Sequence, residues 1–304
     1  MRHTRVVSVA VLAFSLAISS PALAQDDPAS QLEEIDRLDR EDQQEAAISA
    51  ARSLVRSLEG SRDQAEALWR LSRGIMKQTN LAQYQGLGDE DAISRYEEGA
   101  EYAQEAISID SSIAEAYFWL AANQGSVGQT RGVLNSLFMA SDLDELLHKT
   151  VRRDDDYPEP YFMLGTLYRE LPGRPLSFGD DDAAVSFGRL AVALHEEEYR
   201  RGEDIVTFYD YYLELAMSLW ERDWRENKRD REQDKKREEG GDVEGPVEEA
   251  ALYEAEIRLS EESDREEALS LVREMEARLS AIANPSVRNR RDLEKARELL
   301  NDWE

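Results

Sequence analysis

Downstream of residue 30, apolar residues recur every three or four positions, and the positions between them are filled with acids and arginines. Leu32, Ile35, Leu38, Ala47, Ile48, Ala51, Leu54, Val55 and Leu58 predict an amphipathic helical region from Gln31 to Leu58, broken near Asp39 to Asp42 and ended by Gly60. Leu68, Trp69, Leu71 and Ile75 predict the next helix, Ala65 to Lys77, and the polar, glycine-bearing stretch Thr79 to Asp91 reads as a loop. Glu90 to Ile109 carries Ala92, Tyr96, Gly99, Ala103 and Ala106, small residues at the spacing where two helices approach closely.

The pattern then repeats itself. Tyr161, Leu164, Gly165 and Tyr168 stand at helical offsets in YFMLGTLYRELPG, and 44 residues upstream Tyr117, Leu120 and Ala121 give the same order of large, leucine and small. Such a segment cannot bury its apolar face alone, so it implies stacked helix pairs. The expected fold class is all-α, a tetratricopeptide-like helical-repeat superhelix. Ala114 to Gly125 pairs with Arg131 to Val151, where Val133, Leu134, Leu137, Phe138, Leu143, Leu146 and Leu147 are expected on one face, and the pair closes at Arg152 to Tyr157. Tyr161 to Leu171 pairs with Asp181 to His195, whose small face is Ala184, Gly188 and Ala191.

A long helix from Ile205 to about Trp224 carries an aromatic stripe that reads as core. Arg222 to Gly245 has no apolar periodicity and reads as a solvated helix extension fading into a flexible loop, with a basic docking tail around Lys235, Lys236 and Arg237 as the alternative. Pro246 restarts helix, giving Val247 to Leu259, Arg265 to Ile282 and Ser286 to Trp303. The expected organisation is therefore 1–24 a signal peptide, 25–220 the repeat domain, 221–246 the charged segment and 247–304 a C-terminal helical segment.

The first of these units changes the address. Arg2 and Arg5 precede an apolar run from Val6 to Ile18 and an Ala22-Leu23-Ala24 site, the parts of a secretory signal peptide, so export and cleavage near Ala24 are expected, with an uncleaved anchor as the other reading. Cleavage leaves 35 basic against 65 acidic residues, a net charge of −30, which disfavours nucleic acid and anionic membrane and favours basic partners. Six lysines stand against 31 arginines.

The candidate chemistry is sparse. With no cysteine there is no thiol nucleophile, thiolate site or disulfide. No phosphate-binding loop, dinucleotide fingerprint, nucleophile elbow or H-E-x-x-H helix occurs, so neither catalysis nor a cofactor is expected. Asp154 to Asp156 and Asp180 to Asp182 lack calcium-loop spacing and read as helix caps, and His148 and His195 read as structural residues near helix C-termini.

One loop stands out, Leu171 to Gly179, where two prolines and two glycines fix the path and Arg174 and Phe178 offer a cation and a ring. It reads either as a rigid connector whose Leu176 and Phe178 plug the core, or as a ligand or partner contact. Trp119 and Arg169, on the two matching helices, complete the set of candidate contact residues.

The stretches ALWRLSRG, YFWLAANQG, YFMLGTLYRELPG and PLSFGD, within Ala65 to Leu194, resemble the tetratricopeptide-like T-component (TatT-like) of periplasmic TRAP transporters. They also resemble related bacterial helical-repeat proteins similar to regulators of microtubule dynamics. The resemblance implies a non-catalytic superhelix, a trimer, docking of the periplasmic solute-binding protein, and a passage for a hydrophobic small molecule. The chain lacks the family's lipoprotein cysteine, and its charged C-terminal segment has no assignable counterpart. Three functions follow as expectations: a scaffold of a solute importer, a general periplasmic interaction module in envelope assembly or signalling, and an enzyme, whose converging titratable groups the sequence does not display.

Overall fold

A computed structural model describes residues 27–202, 208–239 and 243–304, leaving out the side chains of 133–136 and 239. The expected signal peptide, the expected helix start at Ile205 and the Gly240-Gly241 pair lie outside the described residues.

Among the described residues the chain forms thirteen α-helices and one short 3-10 turn. They stack as helical pairs: α1 (Pro28–Arg40) with α2 (Gln44–Ser57), α3 (Arg62–Tyr84) with α4 (Asp89–Ile109), α5 (Ala114–Arg131) with α6 (Val133–Val151), and α7 (Pro158–Glu170) with α8 (Asp181–Arg201). The fifth pair is interrupted. The helix α9 (Tyr209–Arg222) packs on α12 (Asp264–Ser280), and α10 (Glu226–Glu239), α11 (Pro246–Ala251) and the 3-10 turn Tyr253–Ala255 are inserted between them. The last helix, α13 (Val287–Trp303), folds back onto α12 and α9. The first helices of successive pairs touch one another, α1 on α3, α3 on α5 and α7 on α9, and line the concave side.

The repeat pattern forms the core as its spacing demands. Tyr117, Leu120, Tyr161 and Leu164 are buried and Tyr168 is half-buried. Small residues set the close approaches: a Cβ on Gly99 of α4 would collide with the side-chain amide of Asn123 on α5. Asn123 donates from Nδ2 to Ser72 Oγ at 3.0 Å and to the Trp119 carbonyl at 2.8 Å, a buried polar tie between α3 and α5.

Three expectations about the repeat helices change. The helix α3 runs on through Thr79, whose hydroxyl donates to the Ile75 carbonyl at 2.7 Å, and the supposed loop shrinks to residues 85–88, where Gly86 takes a φ of 100°. Polar residues continue a helix when nothing breaks it, and no glycine or proline intervenes before Gly86. On α6 the expected single apolar face is split: Leu143 and Leu147 are buried, whereas Leu137 and Phe138 are 37% and 84% exposed. The helix α7 has 13 residues against 19 in α6, so the first turns of α6 outrun their neighbour. Finally, His195 lies six residues short of the C-terminus of α8, buried, with Nε2 accepting from the Phe208 N–H at 3.2 Å, and is not a terminal dipole residue.

The charged segment gives the largest departure. The expected solvated extension is the helix α10, but one edge of it, Arg229, Gln233 and Lys236, is buried. Its two cations, Arg229 and Lys236, enter a closed ionic hub, while the Gln233 amide donates to the Glu254 carbonyl. Arg222 bonds Asp264 at 2.8 Å, Glu254 at 2.5 Å and Asp182 at 2.9 Å; Arg189 reaches Glu254 at 2.8 Å and Glu267 at 2.7 Å; Arg229 reaches Glu267 at 2.5 Å; and Lys236 reaches Asp182 at 2.7 Å. Four cations meet four carboxylates, so charge balances and each group is paired, the condition under which buried ions are tolerated. The hub ties α8, α9, α10, the 3-10 turn and α12 together. Pro246 restarts helix as expected, but α11 lasts six residues rather than continuing to Leu259.

Candidate functional site: the concave cleft

The concave side encloses a cleft of about 1740 Å³ lined by α3, α5, α7 and α9, with the first turn of α13 entering it. Its floor follows from the repeat. On α5 the cleft-facing positions include Glu115, Phe118, Trp119 and Ala122; on α7 they include Glu159, Phe162, Met163 and Thr166. Every residue of the second set stands 44 positions after its counterpart in the first. The repeat thus writes two faces at once. Tyr, Leu and a small residue build the core, and an acid followed by an aromatic residue one turn later builds the cleft.

The rings form two runs, both lining the cleft. Phe118 meets Trp119 edge-on at 5.0 Å and Tyr157 at 5.4 Å, and Phe162 stacks on Tyr211 at 4.8 Å, which stacks on Phe208 at 5.6 Å. The chain's own cations cap the two ends: Arg70 and Arg73 lie 4.1 and 5.1 Å from the Trp69 ring, and Arg288 of α13 lies 4.7 Å from the Phe208 ring. Arg73 and Lys77 are neutralised from α1, Arg73 bonding Asp36 at 2.7 Å and Lys77 bonding Asp39 at 2.7 Å.

Burial pushes the Glu115 carboxyl above the usual carboxylate range, and Glu66 and Asp154 add to the rise. Asp154 is raised by burial and by Asp156 and Asp155. The phenols of Tyr157 and Tyr211 are pushed well up by burial, with Glu159 the largest carboxylate contribution to both. Negative charge therefore crowds the α5 and α7 side of the cleft, while Arg288, Arg290 and Arg291 bring positive charge from α13.

The four candidate contact residues separate into two places. Trp119 and Arg169 line the cleft together. Trp119 is buried with its indole N–H lacking an acceptor among the described residues, and Arg169 is held by Glu214 at 2.6 Å and Glu221 at 3.0 Å, a tie from α7 to α9. Arg174 is exposed, and Phe178 is half-buried with its ring edge-on to Tyr168 at 5.3 Å; neither lines the cleft. Their loop closes on itself through Gly179, whose N–H donates to the Pro172 carbonyl at 3.2 Å and whose Cβ position would run into the Leu171 carbonyl, so glycine is required there. Among the acid clusters, Asp180 caps α8 from Oδ1 and Asp154 accepts from the Asp156 N–H. No group of three or more metal-ligating side chains occurs among the described residues.

Apart from Trp119, the aromatic floor was not singled out in the sequence. The signal that could have found it is the stripe Glu-x-x-Phe-[Trp/Met] repeated in register.

Residues 31–171 match the family model described as regulator of microtubule dynamics protein 1-3, which spans less than half of the chain. No curated protein matches. Among solved structures, the chain is similar to TTC0263, a thermophilic TPR protein in Thermus thermophilus, with a TM-score of 0.51 and 14% identity over 90% of this chain and 99% of that one. The MamA protein is more distant, at a TM-score of 0.39 and 16% identity over 85% and 98%. At this identity the likeness to TTC0263 shows the fold, an all-α TPR-like repeat.

Proposed function

We propose that this chain is an exported, non-catalytic scaffold whose concave cleft receives a segment of a protein partner. The observation that carries the reading is the cleft. Its 1740 Å³ exceeds the roughly 300–1,000 Å³ of small-molecule pockets, and its aromatic floor is repeated along successive helices as an extended chain would require. Within this reading the partner is the solute-binding subunit of a TRAP-type importer, supported by the T-component resemblance of residues 65–194, and the same floor suits a hydrophobic solute in transit. The trimer that the resemblance implies would place several clefts in one assembly. A second reading, a general periplasmic interaction module in envelope assembly or signalling, is favoured by the mixed charge of the cleft rim. Export rests on the order of basic, apolar and small residues from 2 to 24, and the described helices include none long and apolar enough to cross a membrane.

A photo-crosslinking residue at Thr166, inside the cleft, and a second at Asp234, on the exposed side of α10, test the reading in cells. A dominant protein adduct from Thr166 alone is expected, and its identity as a solute-binding subunit selects the first reading over the second. Equal adducts from both positions, or none from Thr166, would sink cleft docking. N-terminal sequencing of periplasmic material tests export: Gln25 is expected as the first residue, and an intact Met1 overturns cleavage.

A further inference from the structure

The middle of the aromatic floor differs from its ends. Trp69 and Phe208 carry the chain's own guanidinium groups on their faces, whereas no cation of the described residues stacks on Phe118, Tyr157, Phe162 or Tyr211. Yet this is the part of the cleft where carboxylates gather, Glu115 and Asp154 from the α5 side and Glu159 from α7. An acid in the first turn of a helix, as Glu115 is in α5, is ordinarily explained by the macrodipole, which would lower its pKa. Glu115 is instead raised, by burial first and then by nearby carboxylates, and Asp154, in the turn between α6 and α7, is raised for the same reasons.

One buried polar atom on the same floor is left without a protein partner, the indole N–H of Trp119. Buried polar groups are nearly always paired, so an unpaired one in a cleft points to a ligand that pairs it. Across the cleft, Tyr211 is 3% exposed, and the carboxylates of Glu159, Asp210 and Glu198 bear on its hydroxyl.

We propose that the floor formed by Phe118, Tyr157, Phe162 and Tyr211 is a subsite for the lysine or arginine side chain of a partner's docking segment, with Glu115, Asp154 and Glu159 as its counter-charges. The inference rests on the cleft-docking reading above and names the chemistry that reading requires. Aromatic faces attract a desolvating cation, and adjacent carboxylates offset its loss of water. A peptide carbonyl beside the cation supplies the acceptor that Trp119 lacks, which a simple amine would not. The net charge of −28 steers such a basic segment toward the protein.

Short random peptides displayed on phage and selected against the full-length protein at about physiological salt, where diffuse attraction is screened, test the subsite. Selected peptides are expected to share one Lys or Arg, and replacing it by norleucine in a synthetic copy should weaken binding about tenfold, the order of one well-placed cation–aromatic contact. The protein variant Glu115→Gln with Asp154→Asn should lose the same factor while keeping the parent melting temperature. Peptides that need no basic residue, but are still abolished by Thr166→Trp inside the cleft, overturn the cation subsite and leave docking intact. Peptides indifferent to Thr166→Trp overturn docking itself. The norleucine arm changes only the peptide, so it decides the question even where a protein variant folds poorly.

Discussion

Asp210 at the start of α9 and Asp292 on α13 bring their carboxyl groups together beside a chamber of about 220 Å³, and each has one buried oxygen without a hydrogen-bond partner. Burial and the Asp210 charge push Asp292 up to about 7, although Arg291 and Arg288 pull the other way. The charge on Asp210 thus disfavours a second ionised carboxyl at Asp292.

The sign of the pH effect follows. Unfolded, Asp292 releases its proton near 4; folded, it keeps it to about 7, so the native state holds more protons across that window. Stability from this contact is therefore full below about 4 and falls as pH rises through 7. At 1.36 kcal/mol per tenfold the loss is at most about 4 kcal/mol. Urea unfolding at pH 5 and pH 8 should show this fall in the parent, and Asp292→Asn should flatten it. An equal pH slope in both proteins would refute the raised Asp292.

The ionic hub predicts an asymmetry between removing charge and screening it. Although burial raises it, Glu254 is held well below the usual carboxylate range by Arg222 and Arg189. Arg222→Met leaves Glu254 and Asp264 buried with too few cations, which should cost about 3–5 kcal/mol in chemical denaturation. Because these groups are out of solvent, 1 M salt should change the parent's stability little at this site. A variant as stable as the parent would show that α10 does not pack as described.

The stack of Trp220 on Trp303, at 4.3 Å and 4° between planes, is the clasp that holds the end of α13 to α9. Trp303→Ala should cost about 1–2 kcal/mol and change tryptophan fluorescence before global unfolding. Unchanged fluorescence and melting would mean that the clasp does not hold the helix.

The loop after α7 predicts a split between its two candidate residues. Phe178→Ala removes the edge contact with Tyr168 and should lower stability by about 1–3 kcal/mol, whereas Arg174→Ala, at an exposed position, should stay within about 0.5 kcal/mol of neutral. Measuring partner affinity on the same two variants decides whether the loop is also a contact: weaker binding by Arg174→Ala with unchanged melting makes it one.

What was legible in the sequence depended on whether apolar residues carried the message. The pairs α5 with α6 and α7 with α8 could be read because Tyr117, Leu120, Tyr161 and Leu164 repeat in register, and α12 and α13 because Asn284-Pro285 separates two periodic runs. The buried edge of α10 could not, because its helical spacing is carried by Arg229, Gln233 and Lys236, which a hydrophobicity pattern scores as surface. Their partners lie tens of residues away, as Asp264 does from Arg222. The site divides in the same way: Trp119 and Arg169 were legible as unusual residues on matching helices, while the entry of Arg288 into the cleft depends on how α13 folds back, which no local pattern encodes.

The interruption of the fifth pair has a consequence for the order in which the molecule can assemble. The first four pairs close between helices that are neighbours in sequence, so each can form as soon as its own turn is made. The pairing of α9 with α12 cannot, because Arg222 waits for Asp264, 42 residues further on, and the hub between them needs α10 and the 3-10 turn as well. A chain ending at residue 239 should therefore protect its early pairs from protease while α9 is still cut. The cleft acquires its α13 arginines only when the last residues join, so it is completed after the walls of α3, α5 and α7 already stand.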